Sequence, residues 1–164
     1  MYEGTAKQGI LRLKSLYKEE SAEAFAFALS IVIRREYGNI PFDCITYVPV
    51  SKKVRRDRGF NQCELLARFL STYTRIPLQE LLVKTVDTEP QKNLSAMERS
   101  GNVLGVFDVK NDFSPKGKTI LLLDDIMTTG ATLNECAKML TIAGAQAVYA
   151  VAATITSVAN TAET

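Results

Sequence analysis

A chain of 164 residues that is 46% apolar and 23% charged, with nine Gly and five Pro, has the balance of a globular domain, which excludes collagen-like and disordered architectures. At this length one sizeable core forms without disulfides, and a net charge of +2 confines any affinity for anions to a local patch. There is no histidine, so Ser-His-Asp and Cys-His mechanisms and His-ligated metal centres are excluded. Cys44, Cys63 and Cys136 are odd in number, widely spaced and set in apolar periodic segments. That argues against a disulfide framework or a zinc site and for a reducing compartment. The first residues lack a signal-peptide pattern, and no run approaches the ~18 apolar residues of a membrane span. The expectation is a cytoplasmic protein without membrane insertion.

Residues 5 to 37 are predicted to form two helices, the second over 19–37, where Ala22, Ala26, Leu29, Ile33 and Tyr37 recur at three- and four-residue spacing. Gly38, Asn39 and Pro41 end it. The run Cys44-Ile45-Thr46-Tyr47-Val48 reads as a buried strand stopped by Pro49. A polar loop is expected next, Ser51-Lys52-Lys53-Val54-Arg55-Arg56-Asp57-Arg58-Gly59. Over 61–73 a helix places Leu65, Leu66, Phe69, Leu70 and Tyr73 on one face, which marks core. Strands are expected at 81–86 and 103–109, joined by a polar segment over 87–102 that has the length of a functional lid or a disordered connection. Pro115 and Gly117 mark a turn before the strongest strand signal, 118–123, where Ile120-Leu121-Leu122-Leu123 is apolar on both faces, as central parallel strands are. Leu133, Cys136, Ala137, Leu140 and Ala143 form a helical stripe closed by Gly144, and 147–155 is a last apolar strand.

This order predicts an α/β fold with a mostly parallel central sheet flanked by helices. Two loops, 49–59 and 124–132, would lie beyond the carboxyl ends of the strands, where such sheets bind ligands. The expected division is a small N-terminal helical element over 1–43, a core over 44–156 and a tail over 157–164.

The most specific segment is Leu121-Leu122-Leu123-Asp124-Asp125-Ile126-Met127-Thr128-Thr129-Gly130-Ala131-Thr132-Leu133, a strand, an acidic pair, a hydroxyl-rich turn and a helix start. Free backbone N–H groups at the helix start, with the hydroxyls of Thr128, Thr129 and Thr132, make a phosphate cradle that Gly130 lets the anion approach. Asp124 and Asp125 suit a ribose diol and a hydrated Mg²⁺, so a phosphorylated ribose satisfies both halves. A P-loop reading fails because Asp112 stands where Gly117-Lys118-Thr119 would need a first Gly, and a strand follows where a helix should. The plainer alternative is a threonine cap on a helix preceded by solvated acids.

These thirteen residues resemble the ribose-phosphate motif of type I phosphoribosyltransferases, which use phosphoribosyl pyrophosphate (PRPP). Together with Val48-Pro49-Val50, Arg56-Asp57-Arg58-Gly59-Phe60-Asn61-Gln62, Leu65-Leu66-Ala67, Pro90-Gln91, Leu94-Ser95, Arg99 and Asn102, they resemble the ComF family of competence-protein-F-like phosphoribosyltransferases. The resemblance implies that Asp124 and Asp125 contact the ribose hydroxyls and Mg²⁺. It implies that Thr128, Thr129, Gly130, Ala131 and Thr132 hold the 5′-phosphate, and that Val50, Ser51 and Lys52 form a pyrophosphate loop in which Lys52 assists catalysis. The neighbouring cations Lys53, Arg55, Arg56 and Arg58 suit a diphosphate leaving group or, alternatively, form a solvated or nucleic-acid-contacting charge run. The segment over 87–102 falls where type I enzymes carry a lid, from which Lys92 and Arg99 would close on pyrophosphate.

Two departures shape the expectation. The four-cysteine zinc module that commonly begins ComF proteins has no counterpart, since no Cys-x-x-Cys occurs. The acid with which hypoxanthine-type enzymes handle the base is replaced by Thr128. The resulting expectation is a Mg²⁺-assisted transfer of phosphoribose from PRPP to an unidentified nitrogen acceptor. The alternative is a non-catalytic protein that senses PRPP or a nucleotide, or handles single-stranded DNA alongside DNA-uptake machinery. Self-association as a homodimer is left open.

Overall fold

Four helices and five strands follow one another in the computed structural model, which describes residues 19–85 and 105–155. Helix α1 (Glu19–Tyr37) has acids in its first turn and Arg34 and Arg35 in its last, in accord with the helix dipole. Its buried stripe of Ala22, Ala26, Ser30 and Ile33 is mostly small, which allows close packing on α3 (Gln62–Thr74). Tyr73 seals that contact by donating to Glu23 at 2.8 Å while its ring meets Phe27 edge-on at 5.5 Å.

Strand β1 (Cys44–Tyr47) is buried at every position, and α2 (Lys52–Arg58) follows it. Strands β2 (Leu82–Lys84) and β3 (Phe107–Val109) form an antiparallel pair of their own. The main sheet is parallel in the order β1-β4-β5, with β4 (Thr119–Met127) between its neighbours and β5 (Ala147–Ile155) reached through α4 (Ala131–Ile142). Residue 44 pairs with 120 and 47 with 123, while 119 pairs with 147 and 127 with 155. Leu78 adds a parallel bridge to Ile45 on the other edge of β1. Positions 120–125 are buried in succession, which is possible only where both faces of the strand are covered. The α/β class and the parallel central sheet are as expected.

The expected elements over 19–37 and 147–155 are present with those bounds. Gly144 takes a left-handed φ of 94° just past α4, and the N–H of Ala145 closes on the Leu140 carbonyl at 3.0 Å, as a glycine-terminated helix requires. Three expectations need correction. The 51–59 segment is a helix rather than a loop, because the Ser51 hydroxyl caps it and Gly59, at φ 79°, ends it. The central strand continues through the acidic pair to Met127, because β5 keeps pairing with it. The strands expected at 81–86 and 103–109 are shorter within the described residues and stand outside the main sheet. The first predicted helix, the 87–102 segment with Lys92 and Arg99, and the tail over 157–164 lie outside the described residues.

Leu122 is fully buried in β4 and flanked by both neighbouring strands. Leu122→Ala is expected to lower stability by about 2–5 kcal/mol, read as a fall in the urea midpoint with an unchanged slope.

Candidate functional site

The acid pair sits where the sheet becomes asymmetric. Pairing of β1 with β4 stops at Tyr47 and Leu123, whereas β5 stays in register past Asp124 to Ile155. Asp124 and Asp125 thus belong to a strand supported on one side only, and they are 7% and 8% exposed. The Oδ1 of Asp124 accepts the Asp125 N–H at 2.8 Å and the Cys63 thiol at 3.5 Å, and Thr154 of β5 donates to the Asp125 carbonyl at 3.2 Å. One ligand atom from each of Cys63, Asp124 and Asp125 falls within 4.8 Å of the others.

Five residues after Asp125, Gly130 starts α4 in a left-handed conformation with φ 77°, which favours glycine by backbone alone, since an added Cβ would meet only the Met127 sulfur at 3.8 Å. The Thr129 hydroxyl accepts the Ala131 N–H at 3.3 Å from the position before the N-cap, while the cap itself, Gly130, makes no side-chain cap bond. Thr128 and Thr129 are exposed, and Gly130, Ala131 and Thr132 are half-buried. The first-turn N–H groups of α4 have no carbonyl within their own helix. The five residues assigned to a phosphate therefore follow the end of β4 and run into the first turn of α4.

Across the sheet end, Val48 donates to the Leu123 carbonyl at 2.9 Å, and Pro49, Val50 and Ser51 lead into α2. Ser51 is buried and its hydroxyl is committed to the cap, while Lys52, Lys53 and Arg56 stand exposed. Arg55 is different. It lies 3.2 Å from Glu64 and 3.6 Å from Glu80, and Glu64 also holds Arg68 at 2.7 Å. Glu80 in turn takes Lys110 and the Tyr47 hydroxyl. Burial, with Glu64 and Glu80 nearby, pushes the Tyr47 pKa up and keeps that hydroxyl a donor. Arg55 thus fastens α2 to α3 and β1. A cavity of about 490 Å³ lies beside this network at the α2–α3 junction, and of the residues that touch the strand-end site it shares only Asn61.

Asn61 and Cys63 were not singled out for a role in the site by sequence reasoning. Asn61 has a legible signal, an amide immediately before a helix, and it caps α3 by accepting the Cys63 N–H at 3.0 Å. Cys63 has none, because a thiol on an apolar helix face reads as core. No disulfide joins the three cysteines, and all three are buried.

Burial drives the Asp124 pKa far above the ordinary carboxylate range, to about 7, and the neighbouring Asp125 adds to the rise. The folded state therefore holds a proton that the unfolded chain releases near pH 4, so stability falls as pH rises from about 4 to about 7 and levels above that. Asp124→Asn keeps both hydrogen-bond acceptor geometries without the charge. It is expected to melt several degrees above the wild type at pH 8 and to converge with it towards pH 4, in melts run without Mg²⁺ or PRPP.

The phosphoribosyl transferase domain model matches residues 61–164. The chain is 34% identical over 139 residues to competence protein ComFC of Bacillus subtilis, covering 85% of this chain and 55% of that protein. It is 38% identical over 102 residues to competence protein F of Haemophilus influenzae, covering 60% and 44%. To the DNA utilization protein YhgH of Escherichia coli K12 it is 33% identical over 143 residues, covering 85% and 62%. The chain thus spans roughly half the length of these relatives. Adenine phosphoribosyltransferase shares the fold with a TM-score of 0.59 at 12% identity, over 85% of this chain and 72% of that one. The glutamine PRPP amidotransferase of B. subtilis does so with a TM-score of 0.54 at 21% identity, over 81% and 26%. With the acid pair, the Gly130 turn and the parallel sheet in place, the chain belongs to the phosphoribosyl transferase domain family, in its ComF group.

Proposed function

We propose that this chain binds PRPP with Mg²⁺ across the ends of β1 and β4 and transfers the phosphoribosyl group to a nitrogen acceptor, releasing pyrophosphate. The observation that carries the reading is the delivery of two buried carboxylates by the central strand, one turn ahead of a helix that starts on a left-handed glycine. Residues 128–132 receive the 5′-phosphate through backbone N–H groups and hydroxyls. Asp124 and Asp125 accept hydrogen bonds from the ribose 2- and 3-hydroxyls. Lys52, exposed at the start of α2 with the Val50-Ser51 turn before it, faces the leaving group as a point charge, and Lys53 and Arg56 add to the local positive field. The bond from C1 to the pyrophosphate oxygen breaks, the acceptor nitrogen bonds to C1, and the acceptor's proton leaves to solvent. With no histidine in the chain, the residues act through positioning and charge rather than through an imidazole base.

Hard oxygen donors fit the metal. Asp124 and Asp125 would hold Mg²⁺ through water, while the Cys63 thiol is too soft a ligand and serves as a hydrogen-bond donor to Asp124. When bound, Mg²⁺ supplies charge against the pyrophosphate oxygens.

A second reading draws on the competence and DNA-utilization relatives and on the exposed cations of α2. In it the same chain handles single-stranded DNA. Among the described residues no helix is long and apolar enough to cross a membrane.

Calorimetric titration of PRPP with Mg²⁺ is expected to show binding by the wild type and a loss of at least about tenfold in Asp125→Asn. Acceptor-dependent pyrophosphate release would vanish in the same variant. A wild type that fails to bind PRPP, yet binds single-stranded DNA with steep salt dependence that survives Asp125→Asn, would overturn the transferase reading. Lys52→Gln is expected to weaken PRPP binding without changing the melting temperature, whereas Arg55→Gln should lower the melting temperature, because its partners Glu64 and Glu80 lose a shared cation.

A further inference from the structure

The parallel ladder between β1 and β4 is interrupted at one rung. In a continuous ladder the bond from the Val48 N–H to the Leu123 carbonyl would be followed by one from the Asp125 N–H to the Val48 carbonyl. The first is made at 2.9 Å, but the pairing ends with Tyr47 and Leu123. Both groups of the missing rung are taken up by something else. The Val48 carbonyl accepts the Asn61 side-chain amide at 3.2 Å, and the Asp125 N–H donates to Asp124 Oδ1 at 2.8 Å. The two substitutes are joined through the first turn of α3. Asn61 Oδ1 accepts the Cys63 N–H at 3.0 Å, and the Cys63 thiol donates to that same Asp124 oxygen at 3.5 Å. Asn61 and Cys63 are 3% and 4% exposed, so water does not compete for these bonds.

We infer that Asn61 and Cys63 are positioning residues that hold this rung open and fix the acid pair against the 48–51 turn. The inference rests on the PRPP reading for its functional consequence and on the hydrogen-bond pattern for its structural one. If the rung closed, the Asp125 N–H would turn to Val48, and the Asp124 carboxylate would lose that backbone donor. The half of the site that receives ribose and the half that receives pyrophosphate would then no longer share a fixed spacing. A wedge of one amide and one thiol gives Asn61 and Cys63, two of the three buried side chains with polar atoms at the start of α3, a common task.

The test uses the full chain and four proteins: wild type, Cys63→Ala, Cys63→Ser and Asn61→Ser. Serine at 63 keeps a donor to Asp124, and serine at 61 keeps a helix cap while removing the donor to Val48. Two readouts are taken, amide hydrogen exchange at Asp125 without ligand, and affinity for PRPP with Mg²⁺. Cys63→Ala and Asn61→Ser are expected to slow Asp125 exchange at least tenfold, because its N–H passes to the Val48 carbonyl in a closed ladder, and to weaken PRPP binding roughly tenfold, as outer-shell substitutions do at metal sites. Cys63→Ser is expected to restore both to within about twofold, a rescue that a purely packing role would not give. Unchanged or faster Asp125 exchange in Cys63→Ala and Asn61→Ser would overturn the inference. Slower exchange with unchanged PRPP affinity would overturn its functional half. Slower exchange in the variants, with a wild type that does not bind PRPP, would leave the positioning intact and count against the PRPP reading instead.

Discussion

The unequal length of β4's two partnerships is the constraint on which the site depends. One neighbour stops at Leu123 and the other continues to Met127, so Asp124 and Asp125 are carried forward by a strand that is still rigid but open on one flank. A symmetric sheet would close over these residues with backbone hydrogen bonds. A loop would leave them solvated and mobile. Support from one side gives buried carboxylates in fixed positions with one side free for other groups, and fixed charge is what a site acting by positioning and electrostatics needs.

That arrangement opposes stability locally. Two adjacent carboxylates at under a tenth exposure repel each other and are poorly solvated, and the rise of the Asp124 pKa is the expression of both. The surrounding fold offsets this with apolar burial, since the four residues before the pair, Ile120 to Leu123, are all fully buried. The positive residues are divided between two tasks. Arg55 is spent on Glu64 and Glu80, which fastens α2 to its neighbours, and Lys52, Lys53 and Arg56 are thereby presented outward from a short helix that would be marginal on its own.

Much of this was legible in the residues. The apolar run ahead of Asp124, the glycine after two threonines and the periodic stripes over 19–37 and 133–143 each follow from a rule that acts over a few residues. What escaped was decided by partners distant in sequence. Residues 52–58 have no apolar periodicity, and their helix is stabilised by Glu64 and Glu80, which lie outside the segment. The strand expected to end at Leu123 continues because β5 supplies partners for residues that seldom favour strands. Asn61 and Cys63 gained their significance only when α3 was placed against Val48 and Asp124, a contact spanning 61 positions of the chain for the thiol. The reading of Lys92 and Arg99 as lid residues falls outside the described residues.

The three unbridged thiols have a practical consequence. Cys44 and Cys136 are fully buried on β1 and α4, whereas Cys63, at 4% exposure, sits in the first turn of α3 against Asp124. No pair forms a bridge, so the chain carries three native chemical reporters. Alkylation of Cys44 and Cys136 requires the core to open, while Cys63 becomes reactive as soon as the first turn of α3 lifts from the strand ends. The ratio of their labelling rates distinguishes breathing of the site from unfolding of the domain, with no probe attached and no residue changed.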